Sequence, residues 1–209
     1  MANGVETFAG QSYSADLAGY YISDIRFVGS DFDLAFGGNI SNIGAKLSYT
    51  ETSDRDFLPI NMRLGTSLAT NLDEYNSISL AFDLNKLLVP TPPIRDNNGD
   101  VVLGKEDRDV GIVSGIFQSF NDAPGGAHEE LREINYSIGS EYWYADQFAL
   151  RAGYFFEHAT KGGRKFFTFG SGVKYSAFVL DFSYLINASG DVLAGANPLA
   201  NTMRFTMTW

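Results

Sequence analysis

Residues 175–187 read Tyr175-Ser176-Ala177-Phe178-Val179-Leu180-Asp181-Phe182-Ser183-Tyr184-Leu185-Ile186-Asn187. Phe178, Leu180, Phe182, Tyr184 and Ile186 share one parity, and Asp181, Ser183 and Asn187 share the other. Successive side chains of a strand point to opposite faces, so this spacing predicts a strand with one apolar and one wetter face. Its aromatics lie near both ends of the apolar face, as on a lipid-facing strand of an outer-membrane barrel. A soluble sandwich alternates as well, with its apolar face inward. One strand does not separate the two readings, and the rest of the chain must.

The last residues repeat the pattern: Met203, Phe205, Met207 and Trp209 alternate with Thr202, Arg204, Thr206 and Thr208. Working outward, about ten segments alternate over the ~10-residue length of a tilted membrane strand. They are Tyr13–Ile22, Phe32–Ser41, Gly44–Thr50, Asn61–Thr70, Asn76–Asn85, Ile134–Tyr144, Phe148–Glu157, Phe166–Tyr175, Phe178–Asn187 and Thr202–Trp209. Short links (Asn42-Ile43, Asn71–Tyr75, Ala145–Gln147, Ser176-Ala177) alternate with long ones (Ser23–Asp31, Glu51–Ile60, Lys86–Glu133, His158–Lys165, Ala188–Asn201). Outer-membrane barrels have short periplasmic turns and longer outside loops. The alternation therefore predicts such a barrel, with Trp209 on the periplasmic side.

Arg63, Asp83, Glu141, Arg151, Lys174, Asp181 and Arg204 all fall mid-strand on the polar parity. Asn39, Asn85, Asn135, Gly65, Gly139, Gly153, Gly170 and Gly172 share it. A polar lumen accommodates opposite charges facing one another and gives the glycines a purpose. The fold class that follows is all-β, an antiparallel transmembrane outer-membrane β-barrel with one long loop, 86–133, inserted on the outside.

Composition agrees. Of 209 residues 14% are aromatic, and 22 are glycine, which suits many strands and tight turns. Charged residues are 19%, fewer than a soluble surface normally carries. The net charge of −10 excludes a nucleic-acid partner, which requires a basic stripe. With no cysteine, neither a disulfide framework nor a thiolate metal site can form. No apolar run reaches the ~18 residues of a membrane helix. Nor do the first residues show the basic and apolar regions of an export signal. That predicts either a signal already removed or the C-terminal part of something longer.

The long loop opens on Leu87-Leu88-Val89-Pro90-Thr91-Pro92-Pro93, whose prolines stiffen an extended run. Asp96-Asn97-Asn98-Gly99-Asp100 follows as a turn. It resembles the start of a calcium loop, yet position twelve is Asp107 rather than Glu, so a solvated turn is the preferred reading. Over Asp109–Phe120, Ile112, Val113, Ile116, Phe117 and Phe120 recur at helical spacing, and Asp109 stands where an N-cap would. Such a stripe on an outside loop must be covered, by the barrel mouth or by a partner. Ile112, Val113, Ile116, Phe117, Phe120, Pro90, Pro92 and Pro93 are the candidate partner-binding residues.

His128 and His158 stand alone, which argues against zinc. Glu129-Glu130 beside Arg132 reads as an ion cluster rather than an acid/base pair. No nucleophile elbow, P-loop or dinucleotide fingerprint is present, so no enzyme and no cofactor is predicted.

Several runs resemble the PorV (LptO) family of the type IX secretion system of Bacteroidetes. They include Phe57-Leu58-Pro59-Ile60-Asn61-Met62-Arg63-Leu64-Gly65, Asp83-Leu84-Asn85-Lys86-Leu87-Leu88-Val89-Pro90-Thr91-Pro92-Pro93, and Ser114-Gly115-Ile116-Phe117 with Phe120-Asn121-Asp122-Ala123-Pro124-Gly125-Gly126. Glu129–Glu133, Glu141–Tyr144, Arg151–Phe155 and Asn197–Thr202 continue the likeness over nearly the whole chain. The resemblance implies a FadL-like barrel of about fourteen strands, of which residues 1–209 would form the C-terminal part of a single domain. It further implies an outer-membrane shuttle without enzymatic activity. Such a protein binds the translocon barrel and the C-terminal signal domain of cargo, then delivers cargo to a sortase-containing attachment complex. The competing expectation is a FadL-like channel for hydrophobic small molecules, for which an apolar lumen would speak and against which a packed polar one would.

Overall fold

The computed structural model describes residues 10–48, 55–188 and 201–209. Alternating side chains give strands β1 (Ser14–Phe27), β2 (Ser30–Gly44), β3 (Asn61–Asn71) and β4 (Asn76–Leu87). A small hairpin, β5 (Ile94–Arg95) with β6 (Val101–Leu103), and helices α1 (Ile112–Gln118) and α2 (Ala127–Arg132) come next. Strands β7 (Asn135–Tyr144), β8 (Phe148–Phe156), β9 (Lys165–Tyr175), β10 (Phe178–Asn187) and β11 (Met203–Thr208) complete the chain. The fold is all-β and mostly antiparallel. One nine-stranded sheet runs in the order β1-β2-β3-β4-β7-β8-β9-β10-β11, so each large strand lies beside its neighbour in sequence.

Among the described residues nine large strands stand where ten were expected, and the difference lies near the start. The polar pair Ser23-Asp24 reads as a break, yet β1 continues through Ile25 and Phe27. A two-residue turn then reverses the chain, with Val28 at φ 49 and Gly29 at φ 84, the paired positive φ of a tight hairpin. Asn42-Ile43, expected as a turn, lies inside β2. Asn42 does adopt a positive φ of 61, but its N–H donates to Asp16 at 2.8 Å and its side chain donates to the Pro59 carbonyl at 3.1 Å, and the strand carries on. Of the expected strand Gly44–Thr50, the described part holds only an isolated bridge between Leu47 and Asp56. Tyr49 and Thr50 lie outside the described residues, as does most of the expected link 188–201. With these corrections the alternation of connections survives. Among the described residues, 28–29, 72–75, 145–147 and 176–177 are short links, and 88–134 and 157–164 are long ones.

The described chain divides into two compact units. One comprises Tyr20–Gly37, Leu64–Leu84 and Asn135–Trp209. Within it the register from β7 to β11 is continuous: Tyr144 opposes Phe148, Phe148 opposes Val173, Tyr175 opposes Phe178, and Phe182 opposes Phe205. The apolar parity packs rings across strands, with centroids 4.8 Å apart for Tyr154–Phe167 and 5.0 Å for Phe182–Phe205. That face is nevertheless open. Phe178 and Leu180 are each 53% exposed, and among the described residues the buried apolar side chains are few: Ala35, Ile60, Leu88, Ala123 and Ala149. A sandwich would hide its aromatic face, since burying each large side chain contributes about 1.5–3 kcal/mol. This sheet holds its own toward the surroundings, as a lipid-facing sheet does.

The opposite parity of the same unit is polar and closely fitted. Arg151 on β8 pairs with Glu141 on β7, its direct cross-strand partner, and reaches over β9 to Asp181 on β10 at 2.6 Å. The reach is possible because β9 presents glycines there. A Cβ on Gly172 would lie 2.6 Å from Asp181 Oδ1 and 3.0 Å from Arg151 Nη1. Likewise the Asp83 carboxylate lies over Gly65. The expected pattern of opposite charges beside small residues is present on this face of the sheet.

Candidate functional site

The second unit comprises Met1–Gly19, Gly38–Arg63 and Asn85–Ile134, and it contains the long segment between β4 and β7. A segment of that length needs a core of its own. Beside the buried Ile60, Leu88 and Ala123, that core is ionic. Lys86, only 4% exposed, lies between Glu130 at 3.1 Å and Glu133 at 2.8 Å. Glu130 also accepts the N–H groups of Asp122 and Ala123 at 2.6 and 2.8 Å. Thr91 of the proline run donates its hydroxyl to Glu133 at 2.9 Å and its N–H to Asp122 at 3.0 Å. A buried ammonium is tolerable only with such partners, and removing one would strand the other. This network ties the end of β4, the proline run, the end of α1 and the end of α2 into one piece.

Helix α1 meets this core through its smallest residues. Gly115 and Ser119 are buried. A Cβ on Gly115 would lie 2.7 Å from the Phe57 ring and 3.2 Å from Pro90, so only glycine lets ring and helix close this far. Lys46 covers the same ring from 4.1 Å and donates to the Arg108 carbonyl at 3.1 Å. The helix starts later than expected. Its N-cap is Gly111, with no side-chain cap, so Asp109 does not serve as one. Helix α2 also caps on glycine, Gly126, while Glu129 accepts the Gly125 N–H at 2.7 Å.

Because the small face is inward, the apolar stripe divides. Ile112 and Ile116 are half-buried, whereas Val113 and Phe117 are 67% and 73% exposed, and Phe120 is also open. Among the prolines, Pro90 is buried under Gly115, Pro93 is half-buried, and Pro92 is exposed. The structure thus brings Val113 and Phe117 together on one open helix face, one turn apart, and separates them from Pro90.

The Asp96–Asp100 stretch is a hydrogen-bonded turn closing the β5–β6 hairpin. Asp96 Oδ1 accepts the N–H groups of Asn98 and Asp100, each at 2.9 Å, which holds its carboxyl below the usual range. Arg95 clamps the hairpin to Glu106 and Asp107, and its guanidinium holds Glu106 down at about 2. No cluster able to hold a metal is found among the described residues. Glu130 belongs to the Lys86 network, in keeping with the ion-cluster reading. The network itself escaped the sequence, because its members are ordinary charged residues up to 47 positions apart. A Lys on the apolar parity at the end of β4, and far along the chain three Glu within residues 129–133, were the signals available.

On the polar face of the sheet unit, an open concavity of about 500 Å³ is lined by Ser79, Asp83, Glu141, Arg151 and Thr168, with Phe155 and Phe166 stacked at 4.7 Å toward one end. A neighbouring concavity of about 400 Å³ shares Ser79 and Glu141 and adds Asp31, Asp33 and Thr70. The first sets Asp83, Glu141 and Arg151 among apolar groups that include Ile138, Tyr154, Phe155 and Phe166, and the second is mainly polar.

Compared with protein families, residues 2–94 match the family described as type IX secretion system protein PorV. The match covers β1 through the proline run, and the resemblance read from the motifs holds there. The family is a component of a secretion system and not an enzyme family. No curated protein matches the chain.

Proposed function

We propose, from the premise that the chain belongs over residues 2–94 to the PorV family of the type IX secretion system, that it is a non-enzymatic outer-membrane carrier. In this reading the sheet spans the outer membrane and the long segment between β4 and β7 stands outside. There it engages the translocon barrel or the C-terminal signal domain of cargo, before cargo passes to the sortase-containing attachment complex. The observation that carries the proposal is the open Val113–Phe117 face on a helix fixed from behind by Phe57, Pro90 and the Lys86 network. A rigid support with an uncovered apolar face is the arrangement of a docking surface, because little ordering entropy is lost when it is covered. Ile112 and Ile116 lie beside that face on the helix, Phe120 follows just past its end, and Pro90 supports it from behind at Gly115, while Pro92 and Pro93 continue the proline run as further candidates. The competing channel for hydrophobic small molecules draws on the apolar part of the 500 Å³ concavity, and the Asp83, Glu141 and Arg151 charges set within it weigh for the carrier.

The test is a pull-down of translocon and cargo signal domain with Val113→Ser/Phe117→Ser in the full protein. Covering each side chain contributes roughly 1.5–3 kcal/mol, so binding should weaken at least about tenfold while assembly in the membrane is unchanged. Undiminished capture, together with raised uptake of small solutes, would move the helix from docking surface to gate.

A further inference from the structure

The Lys86 network has a member whose chemistry is unfinished. Asp122 is 2% exposed, and its Oδ1 has no hydrogen-bond partner. Its other oxygen accepts from the Thr91 N–H at 3.0 Å. Three elements packed on it contribute a group: Thr91 from the proline run, Gln118 from α1, and the Glu130 carboxylate from α2, while Gly104 beyond β6 packs on its backbone carbonyl. Behind Glu130 stand Lys86 and Glu133. With Asp122 ionised, three carboxylates would share one buried ammonium, and one of their oxygens would be bare. With Asp122 neutral, that bare oxygen costs far less, since an unpaired dipole is cheaper to bury than an unpaired charge.

We propose that Asp122 is a proton-gated latch: protonated, it keeps the proline run, the end of α1 and α2 closed on one another, and its ionisation releases the end of α1 that carries Phe117 and Phe120. The direction of its acidity agrees. Burial pushes the Asp122 carboxyl above its ordinary range, and the Glu130 charge adds to this. The closed form therefore keeps a proton that the open form gives up. Below the ordinary carboxylate range both forms hold the proton and pH has no leverage through this group. From there up to the raised value, each pH unit shifts the ratio of closed to open about tenfold toward open, and above it the ratio is constant. Closure is thus strongest in acid and is lost as pH rises through that window. The latch does not depend on what α1 docks, so it stands or falls apart from the secretion reading.

The chain has no cysteine, so a single thiol can report on α1. Ser114→Cys, an exposed position on that helix, carries a nitroxide in the full protein in lipid nanodiscs, and label mobility is followed from about pH 4 to pH 8. The mobile fraction should rise along a one-proton curve. Asp122→Asn, neutral and of the same shape, should keep it low throughout. A flat profile in the parent protein overturns the latch whatever the variant does. So does a pH response that persists in Asp122→Asn, or a variant whose label is mobile at every pH.

Discussion

Gly172 is small because Arg151 needs the space above it. Arg151 on β8 must cross β9 to reach Asp181 on β10, and any Cβ at position 172 would obstruct both groups of the pair. Gly172→Ala should therefore break the bridge while leaving the backbone unstrained, because no positive φ is required at this glycine. The expected loss is about 1–2 kcal/mol, less than for a buried pair, since both side chains remain about one-third exposed. Denaturant unfolding from lipid vesicles checks it, and an unchanged midpoint would show that the bridge adds nothing. That these glycines line a charged face was legible in the sequence, because each shares parity with the charges of its own strand. Which charges they make room for was not, since that depends on register across three strands. Lys86 was half legible: it stands on the apolar parity of β4, in line with Leu80, Phe82 and Leu84, but only folding brings Glu130 and Glu133 to it.

At the scale of elements, periodicity worked where one face is uniformly apolar and failed where it is not. Strands β7 to β11 appeared at nearly their expected bounds, because each carries a run of aromatics or aliphatics on one parity. The first hairpin did not, because Asp24 and Arg26 interrupt the apolar tone of β1 while its alternation persists, and because Asn42 adopts a turn-like φ inside β2. Helix α1 was found from its stripe, yet which side faces inward was decided by Gly115 and Ser119, two residues that hydrophobic spacing ignores. The link between β8 and β9 shows the limits of convenience in testing. Gly162 there has φ 126, and a side chain on it would run into Glu157, itself held by Arg164 at 2.8 Å. Ala159, exposed on the neighbouring 3-10 turn, is the sound position for a probe. Ala159→Cys should react with an impermeant thiol reagent on intact cells, and Ala177→Cys in the short β9–β10 turn should react only once the outer membrane is opened. The reverse pattern would turn the topology over.

For the molecule as a whole, the decisive property is where the aromatic residues are. A charge on their face should be costly, and one on the other face should not. Phe182→Arg, opposite Phe205, places a guanidinium on the apolar parity and should cost roughly 2–4 kcal/mol in a membrane. Ser183→Asp, one residue on, faces Arg204 across the β10–β11 register and should assemble normally. Equal defects in heat-resistant assembly would refute the assignment of faces. Three of the short turns lead to a different kind of consequence. Val28, Gly29, Ala145, Asp146 and Ser176 hold positive φ in links of two or three residues, so an added residue there would throw two strands out of step. At the opposite strand ends, the described connections 88–134 and 157–164 tolerate length, because closing a longer loop adds little entropy cost. Evolution, and anyone wishing to graft a tag or a new binding loop, is thus confined to one end of the sheet. There novelty accumulates cheaply, while the other end stays frozen as the jig that keeps every strand in register.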